Sequence, residues 1–208
     1  MFLSSKHGFA FFHIPRTGGT SIEYSLVDIT KYDNTNHIII DNFNVNKDLN
    51  VHIFNQIKHL NQSPIANILE KNNIEYSNWY EFIFVRNPYT RFLSIFEMHA
   101  TYNQKSKTYN LDLDDYLKHL QFYKLTTPIC KQQTYWLESP LTRKVNVHKF
   151  ENLHNEWTVL CEKFNLGNIT LKHSQKTNYV EKIELTPSQK DIIYEVYKDD
   201  FIEFGYDK

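Results

Sequence analysis

One stretch near the start of the chain constrains the fold more than any other. Gly8-Phe9-Ala10-Phe11-Phe12-His13-Ile14 is a short apolar run, as expected of a buried strand. Pro15-Arg16-Thr17-Gly18-Gly19-Thr20-Ser21 follows at once, dense in turn formers, and Ile22, Leu26 and Ile29 then recur at helical spacing. Strand, tight glycine loop and helix in that order open a βαβ unit. Tyr80-Glu81-Phe82-Ile83-Phe84-Val85 reads as the clearest central strand. It stops at Arg86-Asn87-Pro88, where Pro88 suits the first position of a helix carrying Phe92, Leu93, Ile95 and Phe96.

The remaining periodicities extend the alternation. His37–Ile40 reads as a strand, Val51–Leu60 and Ile65–Glu70 as helices, and Leu113, Tyr116, Leu117 and Leu120 mark a further helix. Val145–Phe150 alternates like a strand, and Leu153, Trp157, Leu160, Cys161 and Phe164 form the apolar stripe of the helix after it. Thr186-Pro187-Ser188-Gln189 has the pattern of a capping box with proline at N1. It opens a helix expected to bury Ile192, Ile193, Val196, Tyr197 and Phe201. Alternating strands and helices predict a three-layer α/β/α fold around a mostly parallel central sheet, with a helix-rich C-terminal part. No repeat or linker divides the 208 residues, so one domain spanning 1–208 is expected.

Charge and cysteine usage narrow the function classes. Lys and Arg number 23 against 24 Asp and Glu, a formal net charge of -1. That balance excludes the basic footprint of a nucleic-acid binder, so any anion site must be local. Cys130 and Cys161 stand far apart and outside any Cys-x-x-Cys pattern, which fits two reduced thiols. No stretch approaches the ~20 apolar residues that span a bilayer, and Met1–Lys6 holds no long apolar run. A cytoplasmic protein without a membrane span is the expectation. The histidines show no metal-ligand spacing such as His-Glu-x-x-His, so no metal is expected.

Two elements carry chemistry. In the first, Gly18 and Gly19 let the backbone turn tightly and admit an anion where a Cβ would obstruct it. The amides of Gly18, Gly19, Thr20 and Ser21 are expected to converge at the start of the helix, where unpaired N–H groups and the helix dipole favour a phosphate. Thr20 and Ser21 add hydroxyls, and Arg16 adds a permanent charge with forked donors. The alternative is an ordinary helix cap after a strand. The nucleotide-triphosphate pattern Gly-x-x-x-x-Gly-Lys-Ser/Thr is absent.

In the second element, Arg86 ends a strand, where open α/β sheets place their ligands. Ser94 lies about two helical turns further on. An anionic group held between Arg86 and Ser94 accounts for the pair. Arg91 either shares that face or pairs with a carboxylate instead.

Together these elements resemble the sulfotransferases that use 3′-phosphoadenosine 5′-phosphosulfate (PAPS), and most of all the group containing carbohydrate O-sulfotransferases. His13–Ser21 is similar to the family's His-Ile-Pro-Lys-Thr-Gly-Gly-Thr-Ser, and Phe84–Ser94 to its Phe-Val-Arg-Asn-Pro-Tyr-x-Arg-x-x-Ser. Lys149-Phe150-Glu151-Asn152-Leu153 and Tyr197–Tyr206 extend the likeness, which runs from near residue 8 to residue 206. The resemblance implies that the first loop, including Thr17, holds the 5′-phosphosulfate and that Arg86 with Ser94 holds the 3′-phosphate. One departure stands out. The family's loop lysine is Arg16 here, which keeps the charge but cannot give up a proton at neutral pH.

Sulfuryl transfer also needs a base. Histidine suits the task, with an ordinary pKa of about 6.5. The resemblance points to His52, in a segment like the family's His-x-x-x-x-x-Ile; His59 competes, and Glu23 is a further candidate. His173–Asn178 resembles the loop that closes over the adenosine. Within it Lys176 is either a 3′-phosphate contact or a solvated charge. Glu151 reads as a helix cap. Tyr135 and Trp136 read as core, with sugar stacking as the other possibility. The expected activity is transfer from PAPS to a hydroxyl of an acceptor, a saccharide by resemblance. The alternatives are a non-catalytic or weakly active nucleotide-binding module of the same fold and a small-molecule kinase.

Overall fold

The computed structural model describes residues 2–4, 6–30, 39–40, 73, 75, 77–106, 111–137, 145–171 and 183–208. Among them, strands β1 (Phe2–Ser4), β2 (Phe9–Phe12), β3 (Ile39–Ile40), β4 (Tyr80–Val85) and β5 (Asn146–Lys149) form one sheet in the order β3-β1-β2-β4-β5. β2 and β4 run parallel with Phe12 opposite Ile83, and β4 and β5 run parallel with Phe84 opposite His148. β1 pairs antiparallel to β2 and parallel to β3. Three of these four pairings are parallel, as the alternating sequence pattern anticipates. The antiparallel β1 is an addition, since three residues are too few to show a period.

The α-helices among the described residues are α1 (Gly19–Thr30), α2 (Pro88–Ser106), α3 (Leu113–Lys118), α4 (Leu120–Thr126), α5 (Leu153–Lys163) and α6 (Pro187–Phe204). The single helix read over Leu113–Leu120 breaks at His119, which ends α3 and begins α4. The helices read over Val51–Leu60 and Ile65–Glu70 lie outside the described residues, as do residues 37 and 38 of the strand read over His37–Ile40.

The chain gathers into two compact units. One holds Met1–Val85 and Trp136–Gln175, the other Arg86–Tyr135 and Lys176–Lys208. The core of the first is aromatic: Phe9, Phe11, Phe82, Phe84 and Phe164 meet the helix stripe of Leu153, Trp157, Leu160 and Cys161. β2 is buried along its whole length, which explains its continuous apolar run. The ring of Phe9 lies 4.6 Å from that of Phe164, and Phe11 5.2 Å from Phe82. Each such ring contributes about 1.5–3 kcal/mol by leaving water.

The second unit packs α2, α3 and α6 around Phe92, Phe96, Tyr116, Leu117, Tyr197 and Phe201. The expected capping box is formed: Thr186 Oγ1 accepts the Gln189 N–H and Gln189 Oε1 accepts the Thr186 N–H, with Pro187 at the first helical position. Ile192 departs from expectation. It is 42% exposed, because the buried stripe runs through Ile193, Val196, Tyr197, Asp200 and Phe201.

Candidate active site

The loop between β2 and α1 is built by two left-handed residues, Arg16 (φ 68°) and Gly18 (φ 83°). Thr17 between them is fully buried, and its hydroxyl donates to the Ile14 carbonyl at 2.9 Å. The Thr17 side chain therefore braces the turn, and only its main chain remains for a ligand.

Each glycine answers to a particular neighbour. A Cβ on Gly18 would stand 2.9 Å from Phe150 Cε2 and 3.0 Å from Leu153 Cδ2, and one on Gly19 would run into the His13 imidazole. Any side chain here must displace core or ring atoms, so the loop's backbone is drawn down onto these three groups. His13 is fixed from its other edge. Its Nδ1 lies 3.1 Å from Glu23 Oε2, with both side chains buried, in a geometry short of an aligned hydrogen bond.

Four converging amides were expected, and one of them, that of Ser21, is engaged within the helix. Ser21 N–H donates to the Gly18 carbonyl at 3.0 Å, because α1 opens with a tight turn. The amides of Gly19 and Thr20 are the first two of the helix and have no intrahelical acceptor. They sit at the positive end of the helix dipole, a setting that suits an anion.

In the second unit, Asn87 caps α2. Its Oδ1 accepts the N–H of Tyr89 at 2.9 Å and of Thr90 at 3.5 Å, with Pro88 following at the first helical position. Arg86, next along the chain from β4, donates from Nε to Thr90 Oγ1 at 3.0 Å. Ser94 lies on α2, 2% exposed.

The two readings of Arg91 are now separable. It is buried, and its guanidinium donates to the carbonyls of Lys131 (3.0 Å) and Ile129 (3.1 Å). Burial works against its charge, while Asp200, Tyr197 and Cys130 support it. Arg91 is thus a structural cation that holds two main-chain carbonyls.

His52, His59 and Lys176 lie outside the described residues. Glu23 is engaged with His13. Trp136 is buried, and Tyr135 carries the Lys131 ammonium 3.7 Å above its ring centre. Glu151 is exposed in a single 3-10 turn, Phe150–Asn152, and the helix behind it has no side-chain cap at Asn152. Among the described residues no group of three or more His, Cys, Asp or Glu is placed to hold a metal ion. Burial pushes the Cys161 thiol up to about 11 and raises Cys130 as well.

Sequence reasoning missed the roles of His13, Asn87 and Asp200. An Asn-Pro pair ahead of a helical pattern was signal enough for the cap. An aspartate at a buried position of the stripe in α6 was the signal for Asp200.

The model of the sulfotransferase family matches residues 1–207, nearly the full chain and both of the elements above. The chain belongs to the sulfotransferase family. No curated protein and no solved structure matches it. As a sulfotransferase it is a transferase of sulfuryl groups, built on an α/β fold in which a glycine-containing loop joins β2 to α1. No helix among its described residues is long and apolar enough to cross a membrane.

Proposed function

We propose that this sulfotransferase takes its sulfuryl group from PAPS and delivers it to a hydroxyl of an acceptor, with a saccharide favoured by resemblance. One observation carries the reading: Gly18 and Gly19 leave no room for a Cβ at the very point where the first amides of α1 emerge. A backbone held that tightly at a helix start is suited to phosphate oxygens. In this reading the loop of Arg16, Thr17, Gly18, Gly19, Thr20 and Ser21 takes the 5′-phosphosulfate. Arg86 with Ser94 takes the 3′-phosphate, and Lys176 adds a further contact.

The proposed reaction is an in-line displacement at sulfur. The acceptor oxygen forms the new S–O bond while the bond to the 5′-phosphate oxygen breaks. The acceptor's proton passes to His52, and adenosine 3′,5′-bisphosphate leaves. Arg16 acts through charge, since a guanidinium keeps its proton at neutral pH.

Incubation with labelled PAPS and a panel of hydroxyl acceptors tests the reading. Label should appear on an acceptor. His52→Ala should lower kcat by about 10²–10⁴ with donor affinity unchanged. Failure to label any acceptor, together with failure to bind adenosine 3′,5′-bisphosphate, would refute it. A second reading, a nucleotide-binding module with little turnover, is favoured by one feature, the arginine at position 16. It predicts tight bisphosphate binding and a large gain in rate for Arg16→Lys.

A further inference from the structure

Arg86 occupies an awkward place. It follows β4 and precedes the cap residue of α2, outside both elements. A distant side chain holds its peptide groups. Gln133 Oε1 accepts the Arg86 N–H at 2.8 Å, and Gln133 Nε2 donates to the Arg86 carbonyl at 2.9 Å. This two-point pairing copies one rung of a β-ladder with a side-chain amide, reaching across 47 residues of sequence.

Gln133 is itself held. It is fully buried, and its N–H donates to Asp200 Oδ2 at 2.8 Å, with Nε2 3.4 Å from the same oxygen. Asp200 Oδ1 accepts the Thr134 N–H at 2.9 Å. The segment just before is pinned through its carbonyls: Ile129 and Lys131 by Arg91, and Cys130 by the Tyr197 hydroxyl at 2.8 Å.

The side chains that build this network, Gln133, Asp200, Arg91 and Tyr197, are buried, and they include a carboxyl group and a guanidinium. Buried charge of this kind is a poor source of stability compared with apolar packing, and its documented use is to fix geometry. The geometry fixed here is the Arg86 peptide. The Thr90 hydroxyl then fixes the start of the guanidinium.

We infer that Gln133, backed by Asp200 and Arg91, is the positioning residue for Arg86, setting the direction in which its guanidinium meets the donor's 3′-phosphate. The inference rests on the role given to Arg86 in the proposed function. It assigns a task to a glutamine outside the set of residues proposed to hold the donor.

The test compares two probes, adenosine 3′,5′-bisphosphate and adenosine 5′-monophosphate, by calorimetric titration of the full chain. Their affinity ratio isolates the 3′-phosphate. Gln133→Met keeps the volume and removes both hydrogen bonds. It should weaken the bisphosphate tenfold or more and leave the monophosphate within threefold. Arg86→Ala should show the same pattern, and the double variant should bind no worse than Arg86→Ala alone, because both changes remove one interaction.

Asp200→Asn keeps the shape and loses one of the two acceptors. It should give a smaller loss of the same kind, and it serves should Gln133→Met fail to fold. Equal weakening of both probes by the folded variants, or additive losses in the double variant, would overturn the inference. If Arg86→Ala abolishes the preference while Gln133→Met and Asp200→Asn retain it, the inference fails and the role of Arg86 stands. If Arg86→Ala leaves the ratio unchanged, the role of Arg86 fails and takes the inference with it.

Discussion

Arg16 adopts a φ of 68° although it is not glycine. A side chain in that region crowds its own carbonyl, at about 1–2 kcal/mol. The position retains the strain together with the charge, the pattern expected where a backbone angle aims a functional group. Arg16→Gly should separate the two. Urea denaturation should show a protein as stable as the parent or up to about 1 kcal/mol more stable, since the strain relieved exceeds glycine's added entropy only slightly. Sulfuryl transfer should fall by about a hundredfold or more with the loss of the guanidinium.

Gly19→Ala should behave in the opposite way. Its methyl group would drive the His13 ring against Glu23 on the opposite edge, a case of overpacking that costs about 1–3 kcal/mol. Equal stability of Gly19→Ala and the parent would show that the imidazole does not form the floor of the loop. The glycines themselves were legible in the sequence. The ring beneath them was not, since no spacing rule says that an imidazole six residues earlier lies under Gly19.

At the scale of elements, α6 shows what a pattern does and does not reveal. Its start was legible because a capping box is a local code, with every partner within three residues. Thr186→Ala should remove an acceptor from the first turn and cost about 1 kcal/mol, measured by urea denaturation. A loss below a few tenths would mean that the helix start is held by tertiary packing instead.

The kink at Tyr197 (φ -114°) was not legible, because its causes are distant in sequence. The Tyr197 hydroxyl is taken by the Cys130 carbonyl, and the Val196 carbonyl accepts from Lys124 Nζ at 2.7 Å. A side chain entering the helix ladder in this way is a recognised cause of bending. β5 makes the same point for a strand. Its alternation was readable, yet its better covered face carries Asn146 and His148, while Val147 is 44% exposed. Asn146 donates to the Glu81 carbonyl, and His148 bonds Glu156 and lies against Phe84. Polar partners decided which face turned inward.

For the molecule as a whole, a near-neutral chain must draw any anion by local chemistry. The net charge of -1 offers no long-range pull on a polyphosphorylated donor. In the proposed reading, half of that local chemistry is the glycine turn, which sits within nine consecutive residues that the sequence displays together. The other half depends on Gln133 and Asp200 folding back onto Arg86, which no window of sequence displays. Ligand binding should therefore act on stability through few contacts, and linkage gives its size. A ligand at a hundred times its dissociation constant adds about 2.7 kcal/mol to a protein that binds it only when folded. In a chain of this length each kcal/mol moves the melting temperature by about 2–4 °C. Adenosine 3′,5′-bisphosphate at that excess should thus raise the transition by about 5–11 °C in scanning calorimetry. Magnesium with a nucleoside triphosphate should leave it within a degree or so, because the loop lacks the lysine that a triphosphate site employs. Should the triphosphate stabilise the protein and the bisphosphate not, the glycine turn would serve a kinase-type donor, and the assignment of PAPS would fall.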